Sequence, residues 1–209
     1  ELWANDPASY TGTYYQIDNM EITPKPVQDP LPIYVGSFSK TSVDMAARKG
    51  FNIAYAPFAA AMVFGSLKDA VAGYRDATLA EGNVPGRAIC SYFIYIADTP
   101  EEEDRGRQYQ IDYFQHCVLR AFPDDPSKMP PTMHYFRKIN EVLRNTKKED
   151  LSDRSILIGS PARIIDSLKM VEDSGIDEVV LYFNVGRKPH AMVKEQMHRF
   201  AEDIAPAFA

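Results

Sequence analysis

The sequence predicts an α/β fold in which parallel strands are covered by helices, and three observations carry that prediction. The first is an alternation of short apolar runs with segments whose apolar residues recur every three to four positions. The second is Ala88-Ile89-Cys90-Ser91-Tyr92-Phe93-Ile94-Tyr95-Ile96, apolar and aromatic at both parities, as a strand buried on both faces reads. The third is the stretch from Leu31 to Gly50, which reads as strand, tight turn and helix. The order expected along the chain is β-α-β-α-β-α-α-β-α. About four core strands make either a small open sheet or half of an eight-stranded barrel.

Residues 1–30 read as irregular. Tyr10 to Ile17 predicts a turn leading into a short strand, and Met20 to Thr23 a second one. Pro24-Lys25-Pro26-Val27-Gln28-Asp29-Pro30 is a rigid extended connector that suits no sheet interior. Ile33 to Val35 is the first core strand. Ser39 is the N-cap of the helix after it, Val43, Ala46 and Ala47 its buried face, and Gly50 its stop. Phe51 to Phe58 is a second buried strand, and Ala59 to Phe64 continues apolar as a loop or helical turn. Leu67, Ala70, Val71 and Tyr74 have helical spacing, punctuated by Gly82 to Gly86.

After the 88–96 strand, Asp98-Thr99-Pro100-Glu101-Glu102 supplies a cap, a proline at the first helical position and an acidic first turn, for a helix running to about Leu119. A proline-rich loop spans Asp124 to Pro131. Tyr135, Ile139, Val142 and Leu143 predict a further helix. Ser155 to Pro161 is an apolar segment entering a helix capped by Ser160, with Ile164, Ile165, Leu168 and Val171 inward and Gly175 at its end. Asp177 to Phe183 is the last strand, and Pro189 opens a last helix that Pro206 closes.

The chain has 209 residues, 45% hydrophobic and 25% charged, within the range of an ordinary globular domain. With 23 basic and 29 acidic residues the net charge is −6, which speaks against a nucleic-acid surface and gives no reason to expect a membrane partner. There is no secretory signal and no apolar run long enough to span a bilayer. Cys90 and Cys117 sit in apolar stretches without metal or redox spacing, and both are expected to be buried free thiols of a reducing, cytoplasmic compartment.

The turn from strand to helix at Gly36-Ser37-Phe38-Ser39 leaves backbone N–H groups and a hydroxyl at a helix N-terminus, a ready place for a phosphate. An ordinary joint that binds nothing is the plain alternative. Lys40 beside it reads as a solvated lysine, with phosphate neutralisation the lesser reading. Arg187-Lys188, after the last strand, is a second and weaker phosphate candidate. Ala56 to Met62 either lines an apolar pocket or packs under a helix. Phe93 and Tyr95 share parity with Ser91, and the sequence does not say which parity faces a ligand. His116, His190 and His198 read as surface or packing residues, and His134 as a minor pocket candidate. The four histidines form no metal-ligand spacing. Glu101 to Asp104 reads as a helix N-terminus. No P-loop, dinucleotide fingerprint or hydrolase triad is legible.

Three stretches together resemble the C-terminal half of the bacterial luciferase-like flavin monooxygenases. They are Pro26-Val27-Gln28 with Leu31 to Ser39 and Ala46 to Gly50; Ile158-Gly159-Ser160-Pro161; and Gly175 to Leu181 through Phe200 to Pro206. The resemblance implies a TIM-type (β/α) barrel to which residues 31–209 supply roughly the last four strands and their helices, with 1–30 as a lead-in. It implies reduced FMN, or a deazaflavin in some branches, with O2 and a small organic substrate. It also implies a flavin reductase as partner. Ser39 carries over as the contact to the flavin phosphate, with Gly36, Ser37 and Phe38 as backbone contributors. Phe38 stands where luciferases themselves have a glutamate, which speaks against light emission. The family's arginines, reactive cysteine and catalytic histidine belong to a first half that this sequence lacks, so no catalytic residue is assigned. A fragment of a longer chain is the expectation. A homodimer, or completion by the missing N-terminal half, is the expected assembly. A flavin-binding or partner subunit without catalysis is the alternative function.

Overall fold

The computed structural model describes residues 2–131, 136–152 and 156–209. They form two compact units divided between Tyr34 and Val35. In the first, β1 (Ala8–Thr11) and β2 (Gln16–Met20) make an antiparallel hairpin, pairing Tyr10 with Ile17 and Thr11 with Gln16. The sequence expectation placed these strands a few residues later. The β-forming Tyr10 and Thr11 come before the Gly12 turn rather than inside it, and the Gly12 amide closes that turn on the Tyr15 carbonyl at 2.9 Å.

The second unit is built on β5 (Ala88–Ile96). It pairs in parallel with β4 (Asn52–Tyr55) through Ala88 to Cys90, with β7 (Glu178–Tyr182) through Ile89 to Phe93, and with β6 (Ile156–Gly159) through Phe93 to Ile96. β3 (Tyr34–Ser37) continues the sheet beyond β4. The sheet therefore has five strands rather than about four. The extra one is β6, which the sequence offered only as an apolar lead-in to a helix. Four residues are too few to show a period, and its burial at every position comes from pairing with β5.

The sheet is open among the described residues: β7 pairs only with β5, and β3 only with β4. Helix α1 (Lys40–Lys49) follows β3 and ends on Gly50 at φ 65°, a left-handed residue whose N–H bonds the Ala46 and Ala47 carbonyls. α2 (Pro57–Phe64) and α3 (Leu67–Ala80) follow β4. α2 is apolar all round, so its sequence carried no helical period. α4 (Pro100–Tyr113) follows β5 and runs into a π-helical turn at Phe114–Val118 and a 3-10 turn to Ala121. α5 (Phe136–Asn145), α6 (Pro161–Asp173) and α7 (His190–Arg199) complete the layer. Tyr135 and Ser155, which were read into neighbouring elements, lie outside the described residues.

Successive β5 residues point to opposite faces. Cys90, Tyr92, Ile94 and Ile96 enter the larger core with Val71 and Tyr74 of α3 and Ile164 and Leu168 of α6. Phe93 and Tyr95 face the other way, with Tyr109, Phe114, Ile156 and Ile158. Tyr55 and Tyr74 tie strands to helices through their hydroxyls, which donate to the Ala70 carbonyl (2.9 Å) and the Phe51 carbonyl (2.7 Å). No helix among the described residues is long and apolar enough to cross a membrane.

Where β7 stops pairing, side chains take over its role. Gln196 of α7 accepts from the Ile96 N–H at 2.6 Å and donates to the Ile96 carbonyl at 2.9 Å, as a neighbouring strand would. Both backbone groups are buried, and each orphaned group costs about 1–3 kcal/mol. Gln196→Ala is expected to lower the unfolding free energy by about 3 kcal/mol in urea titration; a loss below about 0.5 kcal/mol would show that water replaces the amide.

Candidate functional site

The β3–α1 joint places the residues singled out from sequence side by side. Ser37 is 1% exposed at the end of β3. Its hydroxyl donates to the Ser39 carbonyl and the Ser42 hydroxyl, both at 3.3 Å. Ser39 caps α1 by accepting the Ser42 N–H at 3.3 Å, and its Oγ lies 2.8 Å from the Ser42 Oγ. Ser42 thus joins both serines, and sequence reasoning missed it. The available signal was the Ser-x-Ser-x-x-Ser spacing at 37, 39 and 42, which puts the third hydroxyl at the helix position that a cap addresses.

With the Ser42 amide capped, the Lys40 and Thr41 amides remain at the α1 terminus without intrahelical partners. Gly36 is exposed, and a side chain there would meet nothing within 4 Å, so the backbone can be approached from outside. Phe38 is half-exposed, its ring centroid 6.1 Å from that of Phe136 of α5, which in turn stands 5.2 Å from Phe122. Lys40 bonds Asp44 at 2.8 Å and 3.0 Å, so its charge is turned along the helix surface. The joint can therefore offer hydroxyls, two free amides and the positive end of a helix to an anion.

A second group of residues gathers on the Phe93 face of the sheet. The Phe93 ring lies 5.3 Å from Tyr113, 6.3 Å from Phe114 and 5.4 Å from Tyr182, centroid to centroid. Tyr182 and Val180 remain exposed on β7. Desolvation raises the Tyr113 phenol, with smaller contributions from Cys117 and Tyr182 nearby. Ala56 to Met62 does not join this face: it builds α2, with Pro57, Ala59 and Ala60 buried.

Lys188 is not available to a surface phosphate. It is 7% exposed, and its ammonium donates to the Phe183 carbonyl at 2.8 Å and the Ile94 carbonyl at 3.3 Å. It also lies over the rings of Tyr95 (5.2 Å) and Tyr109 (6.0 Å). It bridges the split that opens between β5 and β7. Gly186, at φ 69°, lets the loop carrying it pass against the Tyr109 backbone, where any side chain would collide. His116, His190 and His198 are exposed, and His134 lies outside the described residues. Cys90 is buried, its thiol pushed up to about 12 by desolvation, but Cys117 is exposed rather than buried. The π-helical turn that contains Cys117 rotates it off the face an uninterrupted helix would give it.

The sequence pattern of the luciferase-like monooxygenases matches residues 1–178. The chain belongs to the luciferase-like monooxygenase family. An FMNH(2)-dependent dimethylsulfone monooxygenase of Pseudomonas fluorescens is 25% identical over 213 aligned positions, covering 98% of this chain and 53% of its own length. The chain thus spans about half the length of the curated family member it matches. Monooxygenase RslO1 from Streptomyces bottropensis superposes with a TM-score of 0.67 at 20% identity, over 100% of this chain and 58% of that one. An F420-dependent secondary alcohol dehydrogenase, solved with an F420–acetone adduct, superposes with a TM-score of 0.64 at 15% identity, over 100% of this chain and 58% of that one. Both solved structures share the fold of this luciferase-like chain.

Burial pushes Lys188 down to about 8, whereas an unfolded lysine titrates near about 10.4. Between those values the unfolded chain binds more protons than the folded one, so the contribution of Lys188 to stability rises with pH through that window. Urea unfolding of the wild type and Lys188→Met at about pH 7 and about pH 9.5 is expected to show the wild type gaining about 1–2 kcal/mol on the variant. A difference that is flat or reversed would mean that the ammonium is not held dry.

Proposed function

We propose that this chain is the C-terminal part of a flavin-dependent monooxygenase that uses reduced FMN and O2 to oxygenate a small organic substrate. Residues 31–209 supply the last strands and helices of a TIM-type barrel, with 1–30 as its lead-in. A separate flavin reductase delivers the reduced cofactor in the cytoplasm, and the working assembly is a homodimer or a barrel completed by N-terminal strands. The open β7 edge, with Val180 and Tyr182 exposed beside it, suits the arrival of further strands, on the same chain or on a partner.

The observation that carries the reading is the β3–α1 joint. Its donor set fits a phosphate: the Ser39 and Ser42 hydroxyls, the Lys40 and Thr41 amides, an open backbone at Gly36 and Phe38, and a neighbouring carboxylate, Asp44, already neutralised by Lys40. Ser37, buried beneath, donates to the Ser42 hydroxyl and to the Ser39 carbonyl, and so orients Ser42 and the backbone at Ser39. A bound reduced flavin supplies the electrons that activate O2, one atom going to substrate and the other to water. The protein's part is to hold the phosphate at this joint, and to keep water from the reacting centre with the rings of Phe93, Tyr113, Phe114 and Tyr182. A deazaflavin carries a phosphate too, and this joint does not distinguish the two cofactors.

The alternative, a flavin-binding subunit without chemistry of its own, draws on one observation: the histidines among the described residues are all exposed, and none stands among those rings. Both readings require the phosphate site. FMN is expected to bind the 209-residue chain at least about tenfold more tightly than riboflavin, which lacks the phosphate, as followed by flavin fluorescence. Ser39→Ala is expected to remove most of that ratio while leaving riboflavin binding unchanged. Equal binding of the two flavins, or a ratio that survives Ser39→Ala, would sink the assignment.

A further inference from the structure

On the helix-covered side of the sheet, opposite the Phe93 rings, a cavity of 340 Å³ opens between α2, α3 and α6. Its apolar wall comes from Pro57, Ala61, Leu67, Met170 and Val171. Three serines border it, and the hydroxyl of each is committed. Ser66 donates to Asp69 at 2.6 Å, Ser167 to the Arg163 carbonyl at 3.0 Å and Ser174 to the Met170 carbonyl at 2.9 Å. Besides Lys68, the remaining polar side chain in the wall is that of Tyr92 of β5.

Tyr92 is 3% exposed, and its hydroxyl has no hydrogen-bond partner among the described residues. The contrast with its neighbours in the same core is direct, since the Tyr55 and Tyr74 hydroxyls both donate to backbone carbonyls. Burial raises the Tyr92 phenol well above its ordinary range, so it remains an O–H donor at any ordinary pH. The cavity is at the small end of ligand sites, about 300–1,000 Å³, a size for one ring or a short branched chain. Lys68 also lines the cavity.

We propose that this cavity is a second binding site, for a small, neutral and largely apolar molecule whose one oxygen atom accepts a hydrogen bond from Tyr92. It lies on the other face of the sheet from the proposed flavin site, and it stands whether or not that flavin reading does.

The test follows the Val171 methyl groups by NMR while the 209-residue chain is titrated with cyclohexanol or methylcyclohexane, two molecules of similar shape that differ at the oxygen. Both are expected to shift Val171 saturably. Tyr92→Phe is expected to weaken cyclohexanol about fivefold, the loss of one net hydrogen bond, and to change methylcyclohexane less than about twofold. Absence of a saturable shift with either molecule, or an equal response of both to Tyr92→Phe, would overturn the proposal and leave the pocket to water. Should Tyr92→Phe not fold, Ala61→Phe fills the cavity from α2. It must abolish the Val171 shifts with both molecules, and shifts that persist would equally refute the site.

Discussion

The structure depends on satisfying one long buried strand. β5 is nine residues long and apolar on both faces, so it has no water to fall back on for its backbone groups. β4, β7 and β6 each cover part of it, and none covers all of it. The remainder is met by side chains from distant parts of the sequence. Asp177 accepts from the Ala88 N–H at 2.7 Å at the start of the strand, Lys188 donates to Ile94, and Gln196 closes both groups of Ile96. A strand whose neighbours diverge at its C-terminal end normally leaves a crevice, and in open α/β sheets that is where ligands bind. Between β5 and β7 this crevice is already filled.

That filling decides where a ligand can go. The Lys188 ammonium is spent on two carbonyls and two phenol rings, which takes its charge away from the surface, while the loss of water on burial lowers its proton affinity. The β3–α1 joint is built in the opposite sense. Its hydroxyls bond to one another and to the backbone of Ser39 and Ser42, which keeps them aligned, while two amides and an open glycine face outward. The rings around Phe93 add an apolar wall on the face turned away from the main helix-packed core. The same sheet thus separates two environments, a packed side that supplies stability and a sparsely covered side suited to a cofactor and its substrate.

Much of this was legible in the sequence because local rules and tertiary packing agree. β5 was read with its observed bounds, since a run apolar at both parities has few other solutions. Ser39, Thr99 and Ser160 cap helices by accepting the amide three residues on, and Gly50 ends α1 as expected. What escaped was whatever local pattern does not encode. β6 is shorter than any usable period, and α2 has no polar face to betray its helicity. The inward turn of Lys188 depends on carbonyls from residues 94 and 183, far apart in sequence for Ile94 and set by the fold for Phe183. The exposure of Cys117 depends on a π-helical turn that no single residue announces. At the candidate site, the four residues Gly36 to Ser39 could be named from the strand–turn–helix pattern and the family resemblance, whereas the linking role of Ser42 required coordinates.

The most direct test of this arrangement is amide hydrogen exchange across the chain, with and without FMN. The account predicts the slowest exchange along β5 in both states, including the Ile96 amide from which the Gln196 side chain accepts. It further predicts that FMN slows exchange at the Lys40 and Thr41 amides and leaves the Gly186 to Pro189 loop unchanged. Protection that appears at that loop instead, or β5 amides that exchange no more slowly than those of β7, would contradict it.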